Sequence, residues 1–398
     1  MDHSPLTSYV SSRDPETTWR PGQNGFKLVS QQWKGFTWEH DVHVCLPTTR
    51  ETGKTWVVHV TGGGPNDFDI DWSQTLADMS GCPVAILFQI PNQPLWEMTE
   101  DDLIAHTFEQ FIASGDPTWP LLLPMVKSVS ACMDALQDIY DANNFVVFGA
   151  SKRGWTSWLS ASTKDPRVCG IAPMVFDHLD MPTQLEKQLK DWGMFSPMIV
   201  DYTSRELESK TGTERGVALV EMVDPVGYLK DWKVPVLNIL AANDPYWTVD
   251  ASAVYWSQVP GPKWLLSVPN LHHAFEMTEV WTPTLAAFTR MLSGGPAMSN
   301  FSTELIRATE TEIELAFLAS DPPVEVKVWT CDTARTSTER GVWTEAQIDF
   351  RRSSGTLTVT NLGLGSKTHS QAFLVETKFS SENLEYLLSS IPQYVDNS

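Results

Sequence analysis

Cysteine is scarce in this chain: five in 398 residues (Cys45, Cys82, Cys132, Cys169 and Cys331), widely spaced and with no Cys-x-x-Cys pair. That spacing excludes a zinc knuckle and supplies no disulfide framework, so most of the thiols are expected to be buried and unpaired. The nine histidines are scattered without a His-x-x-x-His spacing, and no glycine loop of Walker or Rossmann type is present. Neither a metal nor a phosphate-bearing cofactor is therefore implied. Positive charge is short as well. Lys and Arg number 28 against 49 Asp and Glu, a formal net charge of −21. Such a balance argues against nucleic acid or an anionic membrane surface as main partner and leaves a small molecule or a peptide. No apolar run approaches membrane-spanning length and no segment repeats. The opening Met1-Asp2-His3-Ser4-Pro5 lacks both a basic region and an apolar core. As it stands the chain is expected to be cytoplasmic, or secreted if a leader was removed before Met1.

What is present suits a globular enzyme-sized protein. The chain is 42% hydrophobic and 19% charged, enough to bury a sizeable core. Apolar runs alternate with helical patterns. Thr55–Val60, Pro83–Ile90, Phe145–Phe148, Val168–Phe176, Val234–Leu240 and Lys263–Val268 read as strands, while Pro120–Tyr140 carries apolar residues at helical spacing. Residues 26–46 alternate in the manner of an antiparallel hairpin or meander. Strands alternating with helices imply an α/β fold with a mainly parallel sheet covered on both faces. Residues 178–230 are polar and helical with no strong strand, and read as an insertion over the sheet's carboxyl edge, a lid. After Ser293-Gly294-Gly295-Pro296 the period changes to two, in Ile313–Phe317, Val324–Trp329, Thr356–Thr360 and Gln371–Thr377. The expected division is a domain over 1–295 and a small β-sandwich-like domain over 296–398. The second part holds no catalytic cluster.

The most informative stretch is Phe145-Val146-Val147-Phe148-Gly149-Ala150-Ser151-Lys152-Arg153-Gly154-Trp155. An apolar strand runs into Gly-x-Ser and then into a helix, the setting of a nucleophile elbow. Gly149, Ala150 and Gly154 supply the small neighbours such a turn needs; Arg153 stands where the common motif has glycine. A helix N-cap serine would show a similar local pattern, so the wider arrangement matters. Asp244 follows a later strand, and His272 and His273 follow the last one. The order Ser151, Asp244, histidine is that of an α/β-hydrolase. Asp177 is the alternative acid, because it too follows a strand, and Asp250 shares the loop of Asp244. Residue reasoning leaves the choice between His272 and His273 open. For an oxyanion hole the candidate donors are the N–H of Lys152 and that of Gly63 or Gly64, from Thr61-Gly62-Gly63-Gly64 after the strand Thr55–Val60. Trp155, Trp158, Trp192 and Trp247 are available to wall a pocket, although the first two suit packing. Arg205 and Lys187, in the insertion, would be placed to meet a substrate carboxylate or else be surface charge.

Several longer stretches resemble the PhoPQ-activated pathogenicity-related (PqaA-like) family, which includes autocrine proliferation repressor A-like proteins. They are Ile90-Pro91-Asn92-Gln93-Pro94-Leu95, Thr99-Glu100-Asp101-Asp102-Leu103-Ile104-Ala105 and Trp119-Pro120-Leu121-Leu122-Leu123-Pro124-Met125. The elbow Gly149–Trp155 and Pro269-Asn270-Leu271-His272-His273 belong to the same likeness, which runs from Tyr9 almost to the C-terminus. The resemblance implies an α/β-hydrolase fold, a C-terminal β domain and, in most members, secretion. It implies that Arg153 is normal in this elbow, that the Pro-Asn-x-x-His pattern falls on His273, and that Asn243-Asp244 is the acid's position. His272 replaces what is often an acidic residue. The expected function is a cofactor-free serine hydrolase, esterase-like or peptidase-like, working through an acyl-enzyme. Its rivals are a binding or signalling protein on the same scaffold, and acyl-transfer or lyase chemistry at the same serine.

Overall fold

The computed structural model describes residues 4–48, 54–309, 312–351, 355–360 and 371–395. Met1 to His3, where the reading of the N-terminus starts, and the last three residues of the C-terminal β region lie outside them. Helix α1 (Ser4–Ser11) precedes a meander of β1 (Thr18–Gly22), β2 (Gly25–Trp33) and β3 (Phe36–Cys45). Next come β4 (Thr55–Val60), α2 (Asp67–Ser80), β5 (Val84–Leu87), α3 (Glu100–Ser114), α4 (Leu122–Tyr140), β6 (Asn144–Ala150), α5 (Lys152–Ser162) and β7 (Val168–Met174). Four helices follow without a strand: α6 (Met181–Trp192), α7 (Val200–Thr203), α8 (Leu207–Lys210) and α9 (Glu214–Val223). Then β8 (Val236–Ala241), β9 (Lys263–Val268) and α10 (Thr278–Leu292) complete the first part.

These strands make one sheet in the order β1-β2-β3-β5-β4-β6-β7-β8-β9. Pairing is antiparallel from β1 to β5 and parallel from β5 through β9. Every residue of β4 and β5 is buried, which is why they read as unbroken apolar runs rather than alternating ones. Alternate residues serve opposite faces. Val58, Val60, Phe145 and Val147 enter a core with α3, α4 and α5, whereas Val57, Val146 and Phe148 enter a second core with α2 and α10. The architecture is α/β with helices on both faces. The chain leaves β4 toward β5 on one side and returns to β6 on the other, so the strand order reverses at β4. Ligands of open α/β sheets bind where the carboxyl ends of strands flank such a reversal.

Beyond α10 the chain is antiparallel β. Strands β10 (Phe301–Ala308), β11 (Glu312–Ala319), β12 (Glu325–Asp332), β13 (Thr344–Glu345), β14 (Gln347–Arg351), β15 (Thr356–Thr360), β16 (Gln371–Ser381), β17 (Leu384–Ser389) and β18 (Gln393–Val395) form two sheets. One runs β10-β11-β15-β14; the other runs β13-β12-β16-β17, with β18 on β16. Ile313, Leu315, Phe317, Leu357 and Val359 of the first meet Val328, Phe373 and Val375 of the second in a shared core. The second sheet also joins the parallel one: Phe379, Tyr386 and Leu388 pack with Trp264 and Phe288, and Ser267 N donates to Ser389 Oγ at 2.6 Å. Among the described residues no disulfide forms; Cys45, Cys82, Cys132 and Cys331 are buried and Cys169 is half-buried. Among the described residues no helix is long and apolar enough to cross a membrane.

Candidate active site

Because β4, β6, β8 and β9 are parallel, the loops at their carboxyl ends emerge along one edge. Those loops carry Thr61-Gly62-Gly63-Gly64, Ser151, Asn243-Asp244 and Asn270–His273 respectively. Ser151 sits between β6 and α5 with φ 58° and ψ −123°, a conformation that L-residues rarely adopt and that stores strain. The turn is tight enough to dictate its neighbours. A Cβ on Gly149 would lie 2.7 Å from Arg153 Cβ, and one on Gly154 would lie 2.7 Å from the Met174 carbonyl.

Ser151 Oγ and His273 Nε2 are 2.7 Å apart, and His273 Nδ1 is 2.7 Å from Asp244 Oδ2. With the carboxylate as acceptor, Nδ1 carries the proton and Nε2 is free to accept the serine hydroxyl's. Asp244 is buried, at 5% exposure, and its Oδ1 accepts the Tyr246 N–H at 2.9 Å. The Tyr246 ring lies against the imidazole, centroids 4.2 Å apart. Its hydroxyl donates to Asp101 Oδ2 at 3.1 Å, while Tyr202 donates to Asp101 Oδ1 at 2.8 Å and Lys152 Nζ pairs with Oδ2 at 2.8 Å. Asp101 is therefore satisfied by three donors. His272 is exposed.

Asp177 stands elsewhere. Buried like Asp244, it accepts a hydrogen bond from Tyr255 Oη at 2.6 Å. Burial pushes its carboxyl up to about 7, against the Tyr255 hydrogen bond and with help from the charge of Asp244. A folded-state value above the ordinary one, near 4, means that the folded form holds a proton the unfolded chain has lost between about pH 4 and 7. Stability thus declines as pH rises through that window. Asp177→Asn should remove Asp177's share. In urea titrations its stability relative to wild type should improve by roughly 1–3 kcal/mol between pH 5 and pH 8. Asp224, also raised to about 7 by burial, leaves a residual slope. A pH-independent difference would contradict the assignment.

Arg153, in the place of the common glycine, turns back beneath the β4 loop. Its Nε donates to the Ile90 carbonyl at 2.5 Å and its two terminal nitrogens bind Glu100 at 2.7 and 2.8 Å. Burial would raise the Glu100 carboxyl, but Arg153, Gln93 and Lys152 outweigh it and hold the value at about 2. The guanidinium fills the space beside Gly62, where a Cβ would fall 1.9 Å from Nη2. Gly62 and Thr61 line a cleft together with Ser151 and His273. Gly63 and Gly64 are not among that cleft's lining residues, and the Gly63 carbonyl is taken by Gln89 N–H at 2.9 Å.

A second cavity, on the other side of the serine, adjoins Ser151 and His273. Its wall is mostly apolar, with Phe108, Trp155, Phe176, Leu219, Val223 and Trp247, and α6–α9 supply much of it. His178 lines it too, stacked on Trp247 at 4.6 Å, and burial pushes its imidazole down to about 3, so it is neutral at physiological pH. Of the four tryptophans, Trp155 and Trp247 face this cavity. Trp158 is core, against Trp232 and Tyr255, and Trp192 lies beneath Arg340 at 5.2 Å. Arg205 and Lys187 are engaged by the protein itself, Arg205 with Asp102 and Lys187 with Asp191 and Asp250 at 2.7 and 2.9 Å. Asp101 lay within the family-like stretch Thr99–Ala105 without a role being assigned to it, and Tyr246 and His178 were not singled out; folding places all three beside the serine.

A family profile described as PhoPQ-activated pathogenicity-related protein matches residues 7–340. The chain is 30% identical, over 372 residues, to Autocrine proliferation repressor protein A of Dictyostelium discoideum, covering 84% of this chain and 75% of that one. Among solved structures it is similar to acetyl xylan esterase 1 from Thermoanaerobacterium sp. JW/SL YS485, with 14% identity and a TM-score of 0.52. It is equally similar, at 12% identity and a TM-score of 0.52, to an acetyl xylan esterase from Paenibacillus sp. R4. Each match covers 73% of this chain and 92% of the other. At such identities the likeness is one of fold, that of the α/β-hydrolases.

Proposed function

The chain belongs to the PhoPQ-activated pathogenicity-related protein family, and we propose that it is a serine hydrolase in which Ser151, His273 and Asp244 are nucleophile, base and acid. The observation that carries the reading is the unbroken chain of contacts Ser151–His273–Asp244, each 2.7 Å, starting from a strained serine at a strand–helix turn. An N-cap serine has no need of a base. A serine hydroxyl is a weak nucleophile until a histidine accepts its proton, and the histidine must be held in the right tautomer by a carboxylate. In the proposed reaction Ser151 Oγ attacks the carbonyl carbon of an ester or peptide while His273 Nε2 takes the proton. The tetrahedral oxyanion is met by the Lys152 N–H and by an N–H of the Gly62–Gly64 loop, of which Gly62, rather than the expected Gly63 or Gly64, lines the cleft with Ser151. His273 then protonates the leaving group, and water, activated by the same imidazole, releases the acyl group from the serine.

In this reading residues 1–295 form the hydrolase domain, with residues 178–230 as its lid, and 296–398 form an appended β domain. The apolar cavity beside Ser151 receives the substrate's bulk. The test is covalent labelling with a small fluorophosphonate. Wild type should gain one adduct per chain by intact mass, and Ser151→Ala none, since only a base-activated serine is phosphonylated rapidly. Folded wild-type protein that resists small probes and cleaves no ester or peptide in a broad panel would overturn the proposal.

A further inference from the structure

The loop between β12 and β13, residues 333–343, belongs to the C-terminal β region yet reaches both the acid loop and the base loop. Arg340 Nη2 donates to the Asp244 carbonyl at 3.3 Å and also to the Trp247 carbonyl. Asn243 Nδ2 donates to the Gly341 carbonyl at 2.9 Å. On the base side, Asn270 donates from Nδ2 to the Trp343 carbonyl at 2.9 Å and accepts the Trp343 N–H on Oδ1 at 2.8 Å. Trp343 is itself buried, in a cluster with Ala242, Val249, Cys331, Ala372 and Leu374. Arg335 adds an ion pair with Asp250 at 3.2 Å. Asn270 has φ 61°, a left-handed conformation suited to asparagine, and it stands in the same turn as His273. The loop that ends in the base is thus clamped at one point, and the loop that carries the acid at three.

We infer that residues 333–343 are a clasp that sets the Asp244–His273 geometry, with Arg340 and Asn270 as positioning residues; the inference rests on the hydrolase reading above. The physical ground is that Asp244 and His273 come from separate, irregular loops, and irregular loops do not hold a 2.7 Å contact by themselves. A guanidinium forked between two carbonyls of one loop fixes its backbone. The paired hydrogen bonds of Asn270 fix the other against the same strap. The C-terminal β region therefore contributes to turnover without supplying a reacting group.

The experiment compares full-length wild type, Arg340→Ala, Arg340→Lys and Asn270→Gly, the last keeping the left-handed backbone while deleting both side-chain hydrogen bonds. Two readouts are taken on protein shown to be folded by circular dichroism: the rate of Ser151 phosphonylation, and the far-downfield proton resonance of a histidine Nδ1–H bound to a carboxylate. Arg340→Ala and Asn270→Gly should each slow labelling on the order of 10–100-fold, since displacements near 1 Å have such effects, and should broaden or abolish the resonance. Arg340→Lys should restore most of both. Variants with a lowered melting temperature but wild-type labelling rate and resonance would reduce the clasp to a stability element and overturn the inference. If Arg340→Ala does not fold, Asn270→Gly decides. If wild type itself is not labelled, the hydrolase reading fails, and the resonance still reports whether the clasp holds Asp244 to His273.

Discussion

Asp244→Asn is expected to lower turnover by about 10⁴ while leaving the fold intact. The carboxylate accepts from His273 Nδ1 at 2.7 Å and from the Tyr246 N–H at 2.9 Å. An amide can keep one of these acceptor roles but must present its NH₂ to the other partner. Facing His273, that NH₂ would require Nδ1 to become an acceptor, moving the ring proton to Nε2, where it can no longer receive the serine's. Turnover of any ester that wild type cleaves, read beside the thermal unfolding curve, measures the effect. Asp177→Asn is the control: its carboxyl is engaged by Tyr255, and its loss should change turnover only several-fold, while shifting stability with pH as described above. If Asp177→Asn abolished turnover and Asp244→Asn left it intact, the acid would have to be placed on the earlier strand.

That contrast also marks how far the sequence could be read. Strands buried on both faces announce themselves, and the expected Thr55–Val60 and Lys263–Val268 coincide with β4 and β9. Because parallel strands deliver their loops to one edge, the positions of Ser151, Asp244 and His273 after β6, β8 and β9 followed from the pattern and the family likeness. Helix α2 was not anticipated. Its first turn is acidic and only five of its residues are buried, so it lacks a marked apolar stripe, although Asn66 caps its start and Gly81 its end. Nor were β1 and β10, which are largely exposed, β18, which is three residues long, or β14 and β17, whose burial does alternate but only over five and six residues. The fold class and the C-terminal antiparallel region were legible because they depend on period. The wiring around the site was not, because it depends on contacts distant in sequence: Arg340 lies 96 residues from Asp244, and Asp101 lies 145 from Tyr246.

Arg153 shows the same limit at the elbow itself. In the sequence it is a departure from Gly-x-Ser-x-Gly; in the structure it is the tie between three segments, holding Ile90, Glu100 and the flank of Gly62. Its side chain is 9% exposed and that of Glu100 is 39% exposed. Arg153→Met preserves length and packing but takes away the carboxylate's main partner, leaving only Gln93 and the more distant Lys152. Breaking a fully buried pair from one side costs about 3–5 kcal/mol, and partial exposure of Glu100 reduces that to roughly 2–3 kcal/mol through solvent screening. The pH dependence identifies the cause. Glu100 is held at about 2 in the folded protein, below its ordinary value near 4.3. Its contribution is therefore complete above the ordinary value and lost as pH falls toward 2. The gap in unfolding free energy between wild type and Arg153→Met should be widest near pH 6 and should narrow as pH falls below about 4. Glu100→Gln, which keeps an acceptor for the guanidinium, should be milder. Because the same guanidinium packs against Gly62, Arg153→Met should also slow phosphonylation of Ser151 in the folded protein. A stability gap that stays constant down to pH 3, with unchanged labelling, would mean that Arg153 acts by bulk alone and that the β4 loop holds its position without it.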